Sequence, residues 1–147
     1  MPSDFHKQSF SSRYSAMGDE AEGVFEELNT GKFVRYGLNR PPVAMNMLTP
    51  FVRYTPDYLT SKGFVEVQGV GKDRKLKLKI EKAIALQAWH EKFRLLFFVW
   101  DSLKKESGYI DWPDMWNILP TMPTAVFPEG KIYWEIDIDE HIWGTET

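Results

Sequence analysis

The chain reads as an α/β fold, a small mixed sheet flanked by helices, and three observations point that way. Residues 18–28 and 73–92 each place core-type residues three and four apart, the spacing of an amphipathic helix. Residues 64–68 alternate, with Phe64, Glu66 and Gln68 on one face and Val65 and Val67 on the other, as a half-buried strand does. Residues 93–100 (FRLLFFVW) are a continuous apolar run, the pattern of a central strand covered on both sides.

With 147 residues, 43% of them hydrophobic and 15% aromatic, one domain with its own core is expected. No apolar run approaches the roughly 20 residues that span a bilayer. Residues 1–15 lack the apolar core of an export signal. A cytoplasmic protein without a membrane segment is therefore expected. The chain has no cysteine, which excludes disulfides, thiolate catalysis and Cys-ligated zinc or iron–sulfur sites. Net charge is −3, but it is unevenly spread: residues 125–147 hold six acids and one base, leaving the rest at +2. Residues 72–82 hold six bases and two acids, and such a local patch matters more for a polyanionic partner than the global sum.

In order along the chain, residues 1–15 read as a loose arm with Phe5, Phe10 and Tyr14 as anchors and His6 as a surface histidine. The first helix, residues 18–28, presents Ala21, Val24, Phe25 and Leu28 as its apolar stripe and starts at Gly18 or Asp19. Its polar side carries Glu20, Glu22 and Glu26. Asn29, Thr30 and Gly31 stop it. Residues 32–37 read as the first strand, 39–50 as a proline-bounded connector, and 51–59 and 64–68 as two strands joined by a turn at Ser61, Lys62 and Gly63. The helix at 73–92 sets Leu76, Ile80, Ala83, Ile84 and Gln87 toward the core, with Lys75, Lys79 and Lys82 as a separate stripe. Its last residues include His90, suited to a helix C-terminus.

After the apolar run, residues 101–107 read as a charged connection and 110–119 as a short helix with Pro113 at its start. Trp112 and Trp116 lie four apart there, as core residues do. A terminal hairpin follows, 125–127 and 131–138, turned at Pro128, Glu129 and Gly130. Asp137 and Asp139 share a face of its second strand, the pattern of a solvated edge. Residues 120–147 as a whole form an acidic extension of the single domain.

The chemistry concentrates at 53–68. The hairpin there can bring Asp57 beside Glu66, and two carboxylates without a cation raise each other's pKa. A hard divalent ion, which takes one or two carboxylates plus water and phosphate oxygens, answers that repulsion. Pro56-Asp57, eight intervening residues and Glu66-Val67-Gln68 form a pattern that resembles the PD-(D/E)XK nuclease superfamily. The resemblance is nearest to the bacteriophage endonucleases that resolve branched DNA. It rests on Tyr54 to Asp57 (YTPD), on Val65 to Gly69 and on the basic segment from Lys72 to Lys82, and covers residues 16–118. The chain departs from the family at Gln68, where lysine is usual.

The resemblance implies a restriction-endonuclease-like core, with Mg²⁺ or Mn²⁺ held by Asp57, Glu66 and the carbonyl of Val67. It implies an acid on the first helix, for which Glu22 is the choice and Glu20 and Glu26 the alternates. It further implies a homodimer acting on branched DNA, with Gln68 orienting water and Lys72, Arg74, Lys75 or Lys79 gripping phosphate. A lysine of the 73–92 helix is also placed to supply the ammonium missing at position 68. Two other function classes fit the same residues: an inactive nuclease fold that binds DNA or protein, and a structural or assembly protein.

Overall fold

The computed structural model describes residues 12–37 and 43–138, with backbone alone for 12–18. From the N-terminus the elements are α1 (Ser12–Leu28), β1 (Phe33–Arg35), a 3-10 turn (Met45–Met47), α2 (Pro50–Arg53), β2 (Tyr58–Thr60) and β3 (Gly63–Val70). There follow β4 (Lys75–Lys79), α3 (Ile80–His90), β5 (Leu95–Asp101), β6 (Glu106–Asp111), α4 (Trp112–Ile118), a second 3-10 turn (Leu119–Thr121), β7 (Thr124–Val126) and β8 (Ile132–Asp137). The result is an α/β fold with a mixed five-stranded sheet, order β1-β2-β3-β5-β6, and a three-stranded sheet, order β4-β8-β7.

β5 explains why the large sheet sits where it does. Every residue of it is buried. Leu95, Phe97 and Val99 face a core shared with β4, α3, α4 and β8, whereas Leu96, Phe98 and Trp100 face a core shared with α1. Burial of one such side chain contributes about 1.5–3 kcal/mol, so a strand covered on both faces anchors both layers. β3 runs parallel to β5 in the register Glu66↔Phe97 and Val67↔Phe98. Its faces divide as the alternation required: Phe64 and Val70 join the α3 side, Val65 and Val67 the α1 side. At its start, Gly63 has φ +142°, and a Cβ there would stand 2.3 Å from the Arg94 carbonyl oxygen. Only glycine lets β3 come so close to the chain entering β5.

Several local readings are corrected. The stretch 73–92 is not one helix. Leu76 and Leu78 alternate with Lys75, Lys77 and Lys79, and the burial follows with period two, so β4 is a strand paired with β8. The helix starts only at Ile80, and its buried residues are Ala83, Ala85, Leu86 and Trp89; Ile84, expected in the core, is exposed. In the expected strand at 51–59, residues 51–53 belong to the short helix α2, opened by Pro50 at its first position, 54–57 are an irregular link, and only Tyr58 onward is extended. α1 begins at Ser12, so the expected arm 1–15 overlaps it, and Leu28 lies exposed. The charged connection after β5 is a turn, in which the Asp101 carboxylate accepts from the N–H groups of Leu103 (3.0 Å) and Lys104 (3.1 Å). It leads into β6, a strand that the sequence pattern does not separate from the following helix.

The terminal hairpin forms as expected, with the Phe127 N–H bonded to the Lys131 carbonyl. It is no appendage, since β8 lies between β4 and β7 and buries Ile136 in the main core. Asp139 and His6, and the remainder of the N-terminal arm before residue 12, fall outside the described residues. No described helix is long and apolar enough to cross a membrane.

Candidate active site

β2 is shorter than β3, and the site lies where it stops. The β2–β3 pairing closes at Tyr58↔Val65, leaving the next part of β3 without a strand on that side. Asp57, the residue before β2, fills the opening: its Oδ2 accepts the Val67 N–H at 2.9 Å. A residue's N–H and C=O project to the same side of a strand, so the Val67 carbonyl faces the side that Asp57 occupies. The Asp57 backbone is itself fixed. Its carbonyl accepts from the N–H groups of Tyr36 (2.8 Å) and Gly37 (3.1 Å). A Cβ on Gly37 would lie 3.3 Å from Asp57 Cα, so that position favours glycine.

Glu66, one residue earlier on β3, turns to the α3 side and is only 5% exposed. Its Oε2 takes the Lys82 ammonium at 2.7 Å, while its Oε1 is buried without a hydrogen-bond partner. Buried carboxylate oxygens are almost always satisfied, so an orphan here asks for a ligand. From the opposite layer α1 brings Glu22, close enough for Asp57 to act on it electrostatically.

The charges do not balance. Burial, with Asp57 beside it, pushes Glu22 up to about 7. Burial and the same neighbour push Glu66 up to about 8, against the pull of Lys82. Asp57 is raised by burial, with Lys82, the Val67 N–H and Arg35 opposing. Burial works against the Lys82 ammonium, but Glu66 and Asp57 outweigh it and hold its pKa above the usual lysine value. Lys82 thus stays charged, and one ammonium cannot neutralise three carboxylates. The cluster therefore retains protons near neutrality that belong to the group rather than to one residue.

Of the residues singled out in the sequence, Asp57, Glu66, Val67 and Glu22 meet here. The two alternates on α1 are engaged elsewhere: Glu26 accepts from the Tyr58 hydroxyl and pairs with Arg35, each at 2.5 Å, and Glu20 accepts from the Trp100 indole at 2.6 Å. Gln68 shares the Glu66 face, but its amide nitrogen donates to the Lys77 carbonyl at 3.0 Å and so joins β3 to β4. The basic residues expected to grip phosphate do not form a helical stripe. Lys75 pairs with Asp137 at 3.1 Å, Lys79 with Glu129 at 3.3 Å, and Arg74 with Asp101, while Lys72 sits exposed in the turn before β4. Much of the basic segment is thus matched by acids, two of them from the C-terminal hairpin, rather than left as a free patch.

Lys82 belongs to the stripe expected to supply the missing ammonium, and its place beside Glu66 singles it out from Lys75 and Lys79 once α3 starts at Ile80. Two further contributors went unrecognised. Arg35, at the end of β1, gave no signal beyond its charge. Glu81, the neighbour of Lys82, receives Tyr54 (2.7 Å), Arg53 (3.0 Å) and Lys131 (2.7 Å), tying α2 and the hairpin to the first turn of α3.

Among the described residues no group of three or more His, Cys, Asp or Glu side chains is disposed to hold a metal ion. Two carboxylates, a carbonyl and water are nonetheless a sufficient hard-oxygen set for Mg²⁺, and the orphan Oε1 of Glu66 fits that use. Comparison of the chain with family models, with curated proteins and with solved structures gives no match.

Proposed function

We propose that this chain is a Mg²⁺- or Mn²⁺-dependent DNA endonuclease with a restriction-endonuclease-like core, acting as a homodimer on branched DNA. The observation that carries the reading is the buried, unpartnered Oε1 of Glu66, on a carboxylate whose other oxygen holds Lys82 and which feels the charge of Asp57. Asp57, Glu66 and the Val67 carbonyl would hold the cation, with Glu22 assisting directly or through water. A bound divalent ion lowers the pKa of its water and offsets charge on the scissile phosphate. Lys82 supplies the ammonium that position 68 lacks, from a helix instead of the strand. Gln68, with its amide nitrogen engaged, keeps an amide oxygen that can accept from the attacking water. Branched DNA and the dimer are supported by the motif resemblance from Tyr54 to Gly69.

The test is a cleavage panel of linear, nicked and four-way-junction DNA with Mg²⁺, Mn²⁺ or EDTA. Cation-dependent cutting, strongest on the junction, is the expected result; no cutting of any substrate with either cation overturns the proposal. A second reading, an inactive nuclease-like fold that binds DNA, is favoured by one observation. The tie from Gln68 to β4 gives that residue a structural use. Cation-independent binding without cleavage selects this alternative.

A further inference from the structure

Arg35 ends β1 directly opposite Tyr58, beside the residue that carries the Asp57 carboxylate. Its side chain is 68% exposed, yet the guanidinium is held at 2.5 Å by Glu26 and stands 3.9 Å from Glu22. It also lies 5.8 Å from the centre of the Tyr58 ring. Lys82 serves Glu66 and Asp57 from the buried α3 side, so the cluster has one internal cation and one at its rim.

A DNA phosphate approaching Glu22 and Asp57 meets like charge. Arg35 is an exposed described cation at that approach, and its charge already reaches both carboxylates. An ion pair as exposed as Arg35–Glu26 is worth at most about 1 kcal/mol, so it exchanges readily for another anion. A guanidinium offers phosphate two parallel N–H bonds, which an ammonium cannot. We propose that Arg35 is a substrate-positioning residue that leaves Glu26 to clamp a DNA phosphate beside the scissile one. The inference rests on the nuclease reading for its substrate, but its contact with phosphate can be measured without catalysis.

The experiment measures binding of a fluorescent four-way junction in EDTA as a function of NaCl, and cleavage in Mg²⁺, with circular dichroism and thermal melts as folding controls. Arg35→Ala should reduce the log–log salt slope by about 0.9 and slow cleavage roughly tenfold or more through lost positioning. Arg35→Lys should keep most of the slope but not the rate, because the charge remains and the fork is gone. Glu26→Gln still accepts from the Tyr58 hydroxyl but releases Arg35, so it should tighten binding several-fold. That gain should vanish in the Arg35→Ala/Glu26→Gln double variant. An unchanged slope in folded Arg35→Ala, or a Glu26→Gln gain that persists without Arg35, overturns the inference. If the wild-type chain shows the Arg35-dependent slope yet never cleaves, the phosphate contact stands and only the nuclease reading fails.

Discussion

Lys82 Nζ lies 2.7 Å from Glu66 Oε2, joining the first turn of α3 to the middle of β3 across the larger core. This pairing puts an ammonium beside the carboxylates even though β3 itself carries glutamine two residues on. It makes the role of each residue separable by mutation.

Lys82→Met should lower cleavage by about two orders of magnitude, the usual effect of removing one charged or donor group that faces developing transition-state charge. If the ammonium is what the site needs, Gln68→Lys in the Lys82→Met background should recover much of the rate. Steady-state cleavage of a four-way junction reads both variants. No recovery in a folded double variant would mean that position 68 cannot reach the reacting phosphate.

Asp57→Asn and Glu66→Gln should each abolish cation-dependent cleavage while leaving the fold intact. The amide oxygen that Asp57→Asn introduces would still accept the Val67 N–H, and loss of one carboxylate relieves repulsion within the cluster. Thermal melts without divalent cation at pH 8 should show Asp57→Asn at least as stable as wild type. Cleavage within a few-fold of wild type in both variants would reject the site.

The cluster should also make stability depend on pH. Glu22, rising to about 7, and Glu66, rising to about 8, have folded-state pKa values above their unfolded value of 4.5. Between those limits the folded state binds more protons than the unfolded one, so stability falls as pH rises from about 4.5 to 8. Glu22→Gln should flatten the part of this fall that ends near pH 7. Mg²⁺ must displace the retained protons, so it should raise the melting temperature more at pH 8 than at pH 6. A melting temperature that climbs steadily from pH 5 to 8 without cation would contradict the cluster.

Because Lys75 and Lys79 are paired with Asp137 and Glu129, changing both to Ala should alter the salt slope of DNA binding by less than the roughly 1.8 expected of two free phosphate contacts. The same titration used for Arg35 measures it. A full loss of that size would show that DNA displaces both acids.

Gly63→Ala should destabilise the fold by several kcal/mol, beyond the roughly 1–3 kcal/mol of backbone strain, because the new Cβ meets the Arg94 carbonyl. Urea unfolding gives the value. A change under about 1 kcal/mol would mean that the start of β3 shifts freely away from β5.

Some of this was decided by the sequence alone. The double-sided burial of β5, the faces of β3 and the terminal hairpin follow from local periodicity and residue type, which need no knowledge of distant partners. Asp57 and Glu66 are nominated by the hairpin and the motif resemblance, and Glu22 by what that resemblance implies for the first helix. The tertiary structure decided the rest. Leu76 fits a helical stripe and a strand alternation equally well, and only pairing with β8, far along the chain, makes β4 extended. That choice delays α3 to Ile80 and turns Lys82, rather than Lys75 or Lys79, toward Glu66. Glu20, Glu22 and Glu26 are alike as acids on one helix. They differ because Trp100, Asp57, and Tyr58 with Arg35 stand opposite them, each delivered by a different strand or its edge. Side-chain type is local information, but the partner that gives a charge its role is set by how the layers pack.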